Sequence, residues 1–162
     1  MGLDVTAYRK LTPAPDGVDE HGGATDGHVR LSDIMEEHFP GRMEGIAPGV
    51  YSTADEFDFR AGSYGGYNEW RDELARLAGH SSARHVWSLI KVNPALKGPF
   101  VELINFADNE GVIGPIVAAK LARDFTQFIG EAEARGGWFL DRYRFWQRAF
   151  EMAADGGAVD FH

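Results

Sequence analysis

Apolar and polar side chains alternate from the first residues of the chain. Leu3, Val5 and Ala7 stand between Asp4, Thr6 and Tyr8, the period of two expected of a β-strand with one buried face. From Thr12 to His28 the alternation stops. The segment "TPAPDGVDEHGGATDGH" is rich in Pro, Gly and Asp and almost free of large apolar residues, so residues 12–28 are expected to form a flexible loop. "RLSDIMEEHF", Arg30 to Phe39, predicts a short helix capped by Ser32 and stopped by Pro40. Alternation returns near Val50 and at Phe57 and Phe59, predicting further strands.

Helical periodicity dominates the second half. Asn68 is a suitable N-cap, Glu69, Asp72 and Glu73 suit the positive end of a helix dipole, and Trp70, Leu74, Leu77 and Ala78 share one face before Gly79. The first helix is therefore predicted at about 68–78. A short helix is predicted around Ala83 to Lys91, followed by "PFVELINFADNEGVIGP" (Pro99 to Pro115), which fits one strand or one helical turn running into a glycine-bounded loop. A longer helix starts near Pro115, with Ile116, Ala119, Leu121, Phe125, Phe128 and Ile129 as its apolar stripe and Gly136-Gly137 as its stop. In "WFLDRYRFWQRAFEMAAD", Phe139, Tyr143, Trp146, Phe150 and Ala153 recur at helical spacing before Gly156-Gly157. The expectation is a single α+β domain over 1–162, with a small antiparallel sheet from the N-terminal part packed against about three C-terminal helices. The helical stripes serve as core, and faces of this kind would equally suit half of a homodimer interface.

Composition supports one domain with a proper core: 162 residues, 44% apolar and 12% aromatic. The absence of cysteine excludes disulfides, thiolate catalysis and cysteine-bound zinc, and fits a reducing compartment. No stretch approaches the roughly 20 apolar residues of a membrane span, and the N-terminus lacks a basic and apolar leader, so a cytoplasmic protein with no membrane partner is expected. Met1-Gly2-Leu3-Asp4-Val5-Thr6 fits the loose myristoylation formula, but no basic patch follows, and a first strand explains the residues better. The net charge of −9 is uneven, with 12 acids against 5 Lys/Arg in residues 1–60 and 13 against 11 in the remainder. Such a chain repels duplex nucleic acid.

Motifs of high specificity are missing: there is no phosphate-binding glycine loop, no nucleophile elbow and no His-Glu-x-x-His. His21 and His28 lie among Asp16, Asp19, Glu20 and Asp26 without a recognisable ligand spacing, and His80 and His85 are five apart, off the shared face of a helix, so no metal and no cofactor is expected. Asp108 and Glu110 could form an acid/base pair, although loop solvation or capping explains them as well. One stretch stands out, "FRAGSYGGYNEWRDEL", Phe59 to Leu74. Glycines 62, 65 and 66 allow close backbone approach, Tyr64, Tyr67 and Trp70 offer flat rings, Arg60 and Arg71 bracket them, and Ser63 and Asn68 add polar groups at a helix start. Arg60, Ser63, Tyr64, Tyr67, Asn68, Trp70 and Arg71 are the candidate ligand-binding residues, suited to a planar, anionic, nucleotide-like molecule. The competing explanation is a tight strand-to-helix turn whose aromatics fill the core.

"MGLDVTAY", "FRAGSYGGYNEWRDELARLAG", "PFVELINFADNEGVIGP" and the closing "AADGGAVDFH" resemble a group of uncharacterised small proteins of bacteriophages and prophages. The resemblance brings no catalytic residue with it, and implies a phage accessory or counter-defence role in the bacterial cytoplasm. Three functions are therefore expected in order: non-catalytic binding or sequestration of a small nucleotide-like ligand; inhibition of a host protein through the acidic surface; and a small hydrolase using Asp108, Glu110 and a histidine such as His85.

Overall fold

A computed structural model describes all of residues 1–162 as an α+β fold. Its seven strands are β1 (Gly2–Arg9), β2 (Thr12–Pro13), β3 (His28–Leu31), β4 (Gly49–Ser52), β5 (Asp55–Ser63), β6 (Gly111–Ile113) and β7 (Ala158–Phe161). Its six helices are α1 (Tyr64–Leu77), α2 (Ala83–Val92), α3 (Val101–Ile104), α4 (Pro115–Gln127), α5 (Ile129–Arg135) and α6 (Gly137–Ala153). No helix is long and apolar enough to cross a membrane.

The strands form two antiparallel sheets, one of four strands in the order β5-β1-β7-β6 and one of three in the order β2-β4-β3. The alternation in β1 acts as predicted, because Leu3, Val5 and Ala7 face the helices. They join Ala61, Ile113, Val159 and Phe161 from neighbouring strands in a core with Trp70, Leu121, Phe125, Trp146 and Phe150. The opposite face is used too. Tyr8, Val112 and Ala158 pack there against Leu31, Met43 and Tyr51, which docks the small sheet onto part of the large one. Where the small sheet does not reach, that face keeps its polar side chains.

Two elements depart from the sequence reading. Residues 30–39 form the end of β3 and a series of turns, not a helix. The Ser32 hydroxyl caps only a turn, accepting the Ile34 amide at 3.3 Å, because Leu31 is drawn into the small sheet and the polar run after it lacks a continuous apolar face. The large sheet is also not confined to the N-terminal part, since β7 lies between β1 and β6. Within 12–28, β2 pairs with β4, Val18 bridges Ala24, and the Asp19 carboxylate accepts the amides of His21 at 2.9 Å and Gly23 at 2.8 Å.

Candidate functional site

The Phe59–Leu74 stretch is the end of β5 followed directly by α1. The helix begins at Tyr64, four residues before the predicted start, since Ser63 is extended and its Oγ accepts the Gly66 amide at 3.0 Å. That start turns the side chains of the stretch in different directions. Tyr67 and Trp70 are 0% exposed and pack with Trp146, and the Trp70 indole donates to the Phe139 carbonyl at 3.2 Å. Arg60 is on the surface, paired with Asp4 at 3.0 Å. Ser63 is occupied as the cap.

Arg71 is only 3% exposed, and its guanidinium lies 4.8 Å from the Tyr67 ring centre and 5.4 Å from that of Trp87. One of its nitrogens donates to the carbonyls of Phe106 at 2.7 Å and Ile104 at 3.4 Å, and another donates to the Asn68 amide oxygen. Asn68 in turn donates to Asp108 at 3.1 Å, and Asp108 lies 3.7 Å from Arg71. Arg71 and Asn68 thus satisfy the carbonyls at the end of α3 and fix the loop that leads into β6.

That loop helps to line a cleft of about 490 Å³, whereas other surface hollows hold about 240 to 370 Å³. The small sheet and the turn after it supply Arg30, Ser32 and Ile34, α1 supplies Tyr64, and the 109–112 segment supplies Asn109 and Glu110. The end of the chain supplies Asp160, Phe161 and His162. Of the seven residues proposed from sequence, Tyr64 lines this cleft. Ser63 lines a separate hollow with Glu69, Trp138 and Arg142. Of the acid/base trio, Glu110 lines the cleft, Asp108 is held by Asn68 and Arg71, and His85 on α2 has its ring against that of His80, which precedes the helix.

Strand pairing explains why Asp160 and His162 were missed as site residues. Thr6 lies opposite Asp160 on one side and opposite Asp58 on the other, so three strands bring these polar groups side by side. Thr6 Oγ1 donates to Asp58 at 2.6 Å and lies 2.9 Å from His162 Nε2. Having given its one proton to Asp58, the hydroxyl accepts from His162, which places a proton on Nε2. Burial pushes the Asp160 carboxyl up to about 6, with the nearby His162 pulling it part of the way back. A carboxyl poised there inside a cleft marks a candidate site. Its only sequence signal was the polar residue inside the short apolar run "AVDF".

No group of three or more His, Asp or Glu side chains is placed to hold a metal ion. A scan against protein-family models matched none, and searches of curated proteins and of solved structures likewise returned no match.

Proposed function

We propose that the protein binds a small, planar, anionic, nucleotide-like ligand in the cleft between the two sheets, without catalysis. The observation that supports this reading is the convergence of Arg30, Tyr64, Asn109, Glu110, Asp160 and His162 on one cavity. Each group suits a different part of such a ligand. The Tyr64 ring offers a stacking face, and the Arg30 guanidinium, one of whose terminal nitrogens donates to the Gly22 carbonyl, has its remaining donors for a phosphate or carboxylate. Carboxylates at Glu110 and Asp160 accept from the ring and exocyclic N–H groups of a base, while the Asn109 amide can both donate and accept. The resemblance to phage and prophage proteins suggests a use for such binding, the sequestration of a host nucleotide signal.

The test begins with mass spectrometry of small molecules released by heat from the purified protein, followed by calorimetric titration with the nucleotides and cyclic dinucleotides that raise its Tm. Arg30→Ala and Tyr64→Ala are expected to weaken binding by about 10- to 100-fold each, the loss of one charge-assisted contact or one stacking face, with Tm nearly unchanged. A panel without any thermal shift, together with an empty released fraction, would overturn the reading. Turnover of the nucleotide that disappears in Asp160→Asn would instead identify a hydrolase, with Asp160 as its acid or base.

A further inference from the structure

The large sheet has one covered edge and one open edge. At β6 the turns of residues 34–45 close it: the Gly114 amide donates to the Arg42 carbonyl at 2.7 Å, and a Cβ on Gly111 would stand 3.1 Å from Met35. At the other end lies β5, nine residues long and paired only with β1. A strand of this length left open is a template for another strand unless something blocks it.

The direction of its free backbone groups follows from its neighbour. Asp4 exchanges both backbone hydrogen bonds with His162, at 2.9 and 3.0 Å, so Asp4, Thr6 and Tyr8 point their amides and carbonyls toward β7, while Val5 and Ala7 point theirs toward β5. Phe59 and Phe57, opposite Val5 and Ala7, therefore bond inward. The amides and carbonyls of Glu56, Asp58 and Arg60 are left facing outward.

We propose that β5 pairs antiparallel with β5 of a second copy of this chain about a two-fold axis at Phe59, joining two four-stranded sheets into one of eight. In this register Asp58 lies opposite the partner's Arg60 and Arg60 opposite the partner's Asp58, at positions where both strands direct their backbone groups across the axis. Moving the axis by one residue either way would set Asp58 against the partner's Asp58, or Arg60 against the partner's Arg60. Like charges directly opposite destabilise a pair of strands, so the charges select the register centred on Phe59. Both side chains have atoms to give: Arg60 bonds Asp4 through Nη1, and Asp58 bonds Thr6 through Oδ1. On the helix-facing side the axis brings together Phe57 and Phe59, both half-buried, and Phe145, 42% exposed and 5.7 Å from Phe59. The guanidinium of Arg148 lies 3.9 Å above the Phe57 ring, at the margin of the same patch. The interface is isologous and closed, which leaves β5 no free edge for further growth.

Sedimentation equilibrium of the full chain tests this directly. The expected mass is twice the 17.9 kDa of one chain, and a single-chain mass at the highest soluble concentration would overturn the proposal, leaving β5 open to a different protein's strand. Arg60→Glu is expected to weaken the dimer about tenfold through two like-charge pairs, and Asp58→Arg combined with Arg60→Asp is expected to restore it, with circular dichroism confirming that each variant folds. The register has its own readout, because the chain has no cysteine. Under mild oxidation Phe59→Cys should form a disulfide-linked dimer and Phe57→Cys should not, because residue 57 faces the partner's Ala61. A dimer indifferent to the charge reversal, or linked equally by both cysteines, would refute this pairing.

Discussion

Asp160 is the residue at which folding and chemistry are most directly coupled. Its carboxyl titrates near 6 in the folded chain against an ordinary value of 3.8, chiefly because burial disfavours the charged form. The folded state therefore holds this proton more tightly than the unfolded state does. Its contribution to stability is complete below about pH 4 and falls as the pH rises from 4 to 6, by on the order of 2–3 kcal/mol. Asp160→Asn is expected to raise Tm at pH 7 and to lack that fall, so that the difference between variant and parent Tm grows as the pH rises from 4 to 7. An equal Tm difference at every pH would show that Asp160 does not titrate in this window. Arg71 shows the opposite side of the same physics: its charge is buried but well partnered by two backbone carbonyls, Asn68 and Asp108. Read from sequence it was a ligand-binding arginine, and in the fold it holds in place the loop that lines the cleft. Sequence can show that an arginine stands beside aromatics, but whether its donors reach a ligand or a carbonyl depends on residues over 30 positions away.

At the level of elements, periodicity placed the cores of α1, α2, α4 and α6 correctly and misplaced some of their ends. The start of α1 moved from Asn68 to Tyr64 because Gly65 and Gly66, read as a turn, fit within the first helical turn once Ser63 caps it. Neither glycine has a neighbour that demands it, since a Cβ at Gly65 would meet nothing and one at Gly66 would meet only the Ser63 hydroxyl at 3.2 Å. The cap itself should matter. Ser63→Ala is expected to cost about 1 kcal/mol, measured by urea denaturation with an unchanged slope, and a loss too small to measure would show that sheet pairing alone positions the helix start. The helix predicted from Pro115 is divided at Phe128 into α4 and α5, and its buried face runs through Ala118, Leu121 and Phe125 to Ala132, whereas Ile116, assigned to the apolar stripe, is 54% exposed.

For the molecule as a whole, the decisive feature is β7, which inserts between β1 and β6 and carries Asp160 to the cleft. Its entry depends on one glycine. A Cβ on Gly157 would fall 1.8 Å from the Tyr8 carbonyl oxygen, so the backbone passes β1 more closely than any other residue permits. Gly157→Ala is expected to destabilise the fold by about 3 kcal/mol or more, since β1 or β7 would have to shift; chemical denaturation measures it, and a loss below about 1 kcal/mol would show that the strand can move aside. The sequence by itself determined the α+β class, the buried face of β1 and the main helical stripes, because those are written in residue spacing along one element. Only the tertiary structure decided which aromatics are core, which arginine reaches the cleft, and that Arg30, Tyr64, Glu110, Asp160 and His162 meet there. The physical reason is range. Periodicity reports what one element does with its own faces, whereas a site is made where backbone pairing brings distant segments together, and the pairing of β1 with β7 joins residues 150 or more positions apart.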